Sequence, residues 1–265
     1  AVQREAQEAA PLKPGKLGDE FSYIELTPEH RELFLIASDP SPANRDNREK
    51  ALAELRKEVN LFLNLTLDFL PSKDPLVAAF TSGCIREFNP SLLEKVVYNV
   101  PNEYVTEADE FYASLFYSLA WVPSVKIQQY LCSAIEGLSD RALSKGLYAI
   151  ARLGGVNSKE WKDITKYLKH ENDYIRKNAY LAFIPLDKKD MKMLKKALAK
   201  ERYFIRDAIC LKLVGEGIET DWPARNIYEK IINAVFNAGP LPEHVLERYY
   251  YEMKRVYSSK YFKKN

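Results

Sequence analysis

Apolar residues recur at helical spacing along most of the chain from Thr27 onward, and nowhere do they alternate over enough positions to build a pair of strands. Between Arg48 and Leu70 the positions Leu52, Leu55, Val59, Phe62, Leu63, Thr66, Phe69 and Leu70 keep this spacing, which predicts one helix, the longest of the chain, stopped by Pro71. Thr27-Pro28, Asp74-Pro75 and Asn89-Pro90 each join a capping side chain to a first-turn proline, so helices are expected over 28–37, 76–88 and 91–99. A cap at Thr106 introduces an aromatic helix with Phe111, Leu115, Leu119 and Val122 on one stripe, widened by Tyr112, Phe116 and Tyr117. That helix is expected deep in the core. Ahead of all these, residues 1–26 mix Gln, Glu and Ala with Pro11, Pro14, Gly15 and Gly18 and read as a flexible leader or draped arm. Within the arm, Phe21, Tyr23 and Leu26 suggest a short extended stretch lying on the first helices.

Residues 158–214 carry the same pattern twice. Trp161, Ile164, Tyr167 and Leu168 overlay Met191, Leu194, Ala197 and Leu198 at a constant offset of 30 residues, and the same offset carries Tyr174-Ile175-Arg176 onto Phe204-Ile205-Arg206. Each copy reads as two amphipathic helices joined by a turn, and a fixed period of this length signals stacked units. A further unit is read at 123–153, where Ala142, Gly146, Ala149 and Ile150 overlay Ile175, Ala179, Ala182 and Phe183 and where Gly154-Gly155 ends the second helix.

The segment ITKYLKHENDYIRKNAYLAF, with Asp173 opening its second helix, then Ile175-Arg176 and Ala179, resembles the HEAT repeat family. The second copy keeps Ile205-Arg206 but has Ile209 in place of the small residue and Glu201-Arg202-Tyr203 in place of the Asp turn. The resemblance implies an all-α fold, an α-solenoid of roughly six stacked antiparallel helix pairs of the HEAT or armadillo kind, used mostly for holding other macromolecules. It also implies that Arg176 and Arg206 tie adjacent turns together rather than contact a ligand. The chain then divides into the arm at 1–26, one helical-repeat domain over 27–262 with its clearest repeats at 123–153, 158–184 and 188–214, and a basic tail end at 263–265.

After Gly215 and Gly217, Asp221-Trp222-Pro223 starts a helix with a wide apolar face, and a last helix runs from Glu243 to about Tyr257. Its Leu246, Tyr249, Tyr250, Met253, Val256 and Tyr257 share one arc, which leaves Tyr251 on the far side. If the helix continues, His244, Arg255 and Phe262 join Tyr251 on a face with no further repeat to cover it. Aromatics and Arg are enriched at binding hot spots, so this face is one candidate docking surface for a protein partner or a second copy. The other is the concave face near Lys177 and Tyr180.

Charge narrows the partners. With 39 Lys and Arg against 37 Asp and Glu the net charge is +2, which supplies no general field for nucleic acid or membrane, so any binding by charge is local. No apolar run is long enough to span a bilayer. Cys84, Cys132 and Cys210 form no C-x-x-C pair and fall inside apolar helical patterns, as buried thiols do. The start at Ala1 rather than Met favours an exported or periplasmic chain over a cytoplasmic one.

Nothing in the pattern points to chemistry. His30, His170 and His244 lie in separate segments without metal-ligand spacing and suit surface or capping roles. Paired carboxylates such as Asp109-Glu110 and Asp187 with Asp190 fall at helix starts, where they complement the dipole. No catalytic residue, cofactor or metal is expected. Deoxyhypusine hydroxylases, which hold iron on related repeats, need several His-Glu pairs, and only His170-Glu171 is present. HEAT-like DNA glycosylases use tryptophans on a basic concave face; Trp121, Trp161 and Trp222 supply aromatics, but the first two fit core-facing stripes. The expected function is a non-enzymatic protein-protein interaction scaffold, or a structural subunit of a cell-envelope or filament assembly. A HEAT-like nucleic-acid-binding protein or DNA glycosylase is the alternative.

Overall fold

The computed structural model describes residues 17–105, 107–201, 205–206 and 208–209. These hold eleven α-helices and no strand, so the described chain is all-α. No helix among the described residues is long and apolar enough to cross a membrane. The chain divides after Val156 into two compact units.

In the first unit the proline-marked starts form as their chemistry dictates. Helix α1 (Pro28–Ser38) begins with a reciprocal cap, in which the His30 amide donates to Thr27 Oγ1 and the Thr27 amide donates to His30 Nδ1 at 3.2 Å. Helices α4 (Pro75–Ile85) and α5 (Pro90–Val96) are capped by Asp74 and Asn89, whose side-chain oxygens accept from the amides of Leu76 and Ser91. The segment expected as one long helix is two, α2 (Arg45–Lys57) and α3 (Val59–Asp68), broken at Glu58 with φ −102° and ψ 71°. Their burial needs differ. Only Ala51 and Leu55 of α2 are buried, whereas every residue of α3 from Phe62 to Leu67 is. The break at Glu58 falls where the narrow buried stripe of α2 gives way to the enclosed part of α3.

The remaining helices of this unit are α6 (Ala108–Leu119), α7 (Val125–Ala134) and α8 (Asp140–Arg152). Helix α6 packs against both α4 and α8. Ion pairs Lys73–Glu107 and Glu110–Arg141 join the starts of these three helices, while Arg86, Trp121 and Arg152 meet at their ends, so all three run in the same direction. Helices α5 and α7 form a second co-directional pair, with Ser124 Oγ donating to Glu94 at 2.6 Å and Tyr98 packed edge-on to Tyr130. Between the layers Phe111, Leu115, Phe116 and Leu119 of α6 are fully or almost fully buried, as the aromatic stripe predicts, and each adds about 1.5–3 kcal/mol of hydrophobic stabilisation. Tyr117, on the opposite side of α6, is exposed. The start expected at Thr106 lies outside the described residues.

Residues 17–26 are non-helical and drape over the same unit. Leu17 makes an isolated parallel bridge to Phe88. Gly18 turns with φ 76°, and a Cβ there would lie 2.7 Å from both Val59 Cγ1 and Leu92 Cδ2. Further along, the fully buried Asn64 holds the strap: its amide donates to Ser22 O and Asn60 O, and its Oδ1 accepts from the Tyr104 hydroxyl at 2.6 Å.

The second unit begins with turns organised by Asn157, whose Oδ1 accepts from the amides of Lys159 and Glu160. Those turns leave only a four-residue helix, α9 (Ile164–Tyr167), where a full amphipathic helix is expected. Helix α10 (Asp173–Ala182) follows with Asn172 as its cap, and α11 (Lys188–Leu198) is capped by Asp187.

Candidate functional site

Two clusters stand out, one in each unit. In the second unit Arg176, in the first turn of α10, is bound on every side. It donates to the carbonyls of His170 at 2.7 Å and Glu171 at 2.9 Å, to the Asp173 carboxylate, and to both oxygens of Glu201 at 3.2 Å. Burial opposes its charge, but the hydrogen bonds and charges of Glu201 and Asp173 outweigh burial and hold its pKa above the usual arginine value. Thirty residues on, Arg206 Nε donates to the carbonyl of Glu201 at 2.7 Å. Arg176 and Arg206 thus reach the equivalent carbonyl, five residues upstream in each copy. Glu201 serves both, its carboxylate taking Arg176 and its carbonyl taking Arg206.

Around this tie, Ile175, Ala179 and Ile205 are completely buried, and Ile209 is too. Lys177 is half-buried, whereas Tyr180 is buried and hydrogen-bonded to Glu201. Burial, followed by the charge of Glu201, pushes the Tyr180 hydroxyl up to about 12. A side chain so enclosed is part of the packing and does not share an open face with Lys177. The histidines of the described residues lie at or just before helix starts: His30 in the cap above, and His170, whose Nδ1 accepts at 3.1 Å from the amide of Asn172, the cap of α10. The C-terminal candidates His244, Tyr251, Arg255 and Phe262 lie outside the described residues, as does Trp222.

The first unit carries the second cluster, which the sequence pattern did not mark. Trp121, read from its spacing as a core residue, is only half-buried, two residues beyond the end of α6. The guanidinium carbon of Arg86, the C-cap of α4, lies 4.7 Å from the centroid of its ring, and that of Arg152, the last residue of α8, lies 4.3 Å away. One turn back along α6, Tyr117 stacks on Tyr148 of α8 at 6.0 Å, with Lys145 Nζ 4.8 Å from the centre of the Tyr117 ring. Lys145, Tyr148 and Arg152 stand at i, i+3 and i+7, opposite the buried stripe of Ala142, Gly146, Leu147 and Ile150. The result is an outward face of α6 and α8, edged by Arg86 of α4, in which aromatic rings fix cations in place. Among the described residues none of Arg86, Lys145 and Arg152 makes an ion pair with a carboxylate. Spacing of i and i+4 between Tyr117 and Trp121 was the available signal, but it reads equally well as core until the facing helices are known.

Among the described residues no group of three or more His, Cys, Asp or Glu side chains is arranged to hold a metal ion. Asp187 and Asp190 form a reciprocal cap, with Asp187 accepting from the amides of Lys189 and Asp190 while Asp190 accepts from the Leu186 amide. Backbone hydrogen bonds, from Asp190 first, lower the Asp187 pKa. No protein-family model, curated protein or solved structure matches the chain.

Proposed function

We propose that the chain is a non-enzymatic helical-repeat scaffold that holds another protein along the outward face of α6 and α8. The observation that carries this reading is the row of Tyr117, Tyr148, Lys145, Trp121 and Arg152, exposed or half-buried on co-directional helices, together with cations that have no carboxylate partner among the described residues. Aromatic and arginine side chains held rigid in this way lose little entropy on binding, which is the property of hot spots. Stacked-repeat construction of the solenoid kind is supported separately. The arginine tie recurs at the sequence period of 30 residues, and helices α4, α6 and α8 are neighbours with a shared direction.

The test is positional. A photocrosslinking residue in place of Lys145 in the native cell is expected to trap one discrete protein partner, while the same residue in place of Lys126, on α7, traps none. Equal yields from the two positions, or none from Lys145, would overturn the assignment of the face. The nucleic-acid reading predicts instead binding to duplex DNA at low salt with a steep loss as salt rises.

A further inference from the structure

We infer that Arg86 and Arg152, clamped on Trp121, form a subsite for two carboxylates of an acidic protein segment; the proposal rests on the scaffold reading and names the chemistry of the partner. Both guanidinium carbons lie within 4.7 Å of one ring centroid, so they are within about 9 Å of each other, close enough for two like charges to repel. Nothing among the described residues neutralises them. Each sits at a helix C-terminus, where carbonyl dipoles favour a cation, which accounts for their being near the helix ends but not for their convergence on one ring. Arg86 Nε and Trp121 Nε1 are buried donors without an acceptor, and Ser82 Oγ, one turn before Arg86 on α4, is buried and unpartnered as well. Buried donors are ordinarily paired, so two unpaired N–H groups beside two guanidiniums without a carboxylate partner are chemically matched to an anion.

Carboxylate fits better than nucleic acid. Each guanidinium presents a planar fork suited to a carboxylate, and side chains at i and i+2 of an extended chain are about 7 Å apart, within the span of the two arginines. Stacking platforms for bases, by contrast, need free ring faces. Here Trp121 is already covered by two guanidiniums, and Tyr117 by Tyr148 and Lys145. The near-balanced net charge of +2 also lacks the field that tracks a phosphate backbone.

The experiment uses the full chain and a fluorescein-labelled peptide with Glu at alternate positions, its all-Gln counterpart, and a DNA duplex. The Glu peptide is expected to bind at low salt, to weaken as salt rises, and to lose at least tenfold in affinity in the Arg86→Gln/Arg152→Gln variant. Removing the same charge from Lys50 and Lys192 should leave binding unchanged, and melting curves check that both variants are folded. Trp121→Leu keeps every charge but removes the platform, and it too is expected to weaken the Glu peptide while leaving the Gln peptide unbound. Absence of Glu-peptide binding, equal binding by the double-arginine variant, or tighter binding of duplex than peptide would each overturn the proposal. A Lys145 crosslink that persists when the peptide fails would discard the acidic subsite and keep the scaffold. Peptide binding without any crosslink would discard the scaffold and keep the subsite.

Discussion

Gly146→Ala sets two physical effects of opposite sign against each other. Replacing a helix-interior glycine by alanine gains about 1 kcal/mol from propensity alone. At Gly146, however, the new Cβ would lie 2.2 Å from Ile135 Cγ2 and 3.2 Å from Phe116 Cδ2. Carbon atoms rest at about 3.5–4.0 Å, so Ile135 would have to retreat by more than an ångström. Ile135 is fully buried and stiff at χ1, and Phe116, which the same Cβ would crowd, is fully buried too. Overpacking costs about 1–3 kcal/mol, and an approach this close belongs to the upper part of that range, about 2–3 kcal/mol, so it should win and leave a net loss of about 1–2 kcal/mol. Gly83, inside α4, has no atom within 4 Å of its virtual Cβ, so Gly83→Ala should keep the propensity gain and stabilise by about 0.5–1 kcal/mol.

Urea unfolding of both variants, with unchanged slopes, measures the difference, expected at about 2 kcal/mol or more. In thermal melts that separates the variants by several degrees, at about 2–4 °C per kcal/mol for a chain of this size. A double variant supplies the internal check: in an Ile135→Ala background the clash is gone, and Gly146→Ala should become neutral or stabilising. If Gly146→Ala alone proves as stable as the parent, α7 and α8 are not packed through this glycine and the close approach of the two helices is wrong.

Other residues give simpler expectations. Phe183, with no exposed surface, should lose about 3 kcal/mol or more on Phe183→Ala, read by denaturant unfolding. Asn64→Leu strips four side-chain hydrogen bonds, two with the strap at Ser22 and Ile24, one with the Tyr104 hydroxyl and one with Asn60 O; about 2 kcal/mol of stability should go, with faster proteolysis near Ser22 as the specific sign. Glu201→Ala leaves the Arg176 guanidinium without its bidentate partner and should cost about 3 kcal/mol, while Glu58→Ala, which removes no such partner, should cost under about 0.5 kcal/mol. For pH, the Tyr180 hydroxyl is raised from 10 to about 12 on folding, so its neutral form contributes stability that is complete below pH 10 and is lost as pH climbs toward 12. Tyr180→Phe should therefore flatten the alkaline fall in melting temperature, and a fall of unchanged steepness would assign it to other groups.

Helix positions were legible where one local interaction decides them. Asp74-Pro75 and Asn89-Pro90 each fix a cap and a first turn within two residues, and both helices begin at those prolines. The Gly154-Gly155 stop was equally local, with φ of 115° and 80° that only glycine adopts easily. By contrast, the break at Glu58 has no proline or glycine to announce it and coincides with a change in burial between α2 and α3 that only their packing shows. The turns after Asn157 likewise stand where most of a helix is expected, although Asn157 Oδ1 accepts from the amides of Lys159 and Glu160 as a helix cap does, so nothing local announces that the helix is delayed to Ile164. Apolar periodicity marked Ile164 and Tyr167 correctly as buried, left Trp161 on the same stripe only half-buried, and did not show that the backbone between them is helical.

The same distinction governs the candidate sites. The structural role of Arg176 and Arg206 was available from the resemblance to HEAT repeats, and each donates to the carbonyl five residues upstream, a tie within one segment. That of Trp121 was not, because its role depends on Arg86, which is 35 residues before it, and Arg152, which is 31 after it. An aromatic at i+4 from another is as consistent with a core stripe as with an outward one, and only the direction shared by α4, α6 and α8 brings their ends to one place. Tyr180 failed in the opposite sense. Its position in α10 is one past the buried Ala179, which suggests an open face, yet the Glu201 side chain arriving from beyond α11 encloses it. Exposure at Tyr180 is therefore set by Glu201, a residue outside its own helix. The residues to substitute first in a search for partners are those whose contacts lie on three consecutive co-directional helices, which selects Arg86, Trp121 and Arg152 over any residue chosen from a single helical wheel.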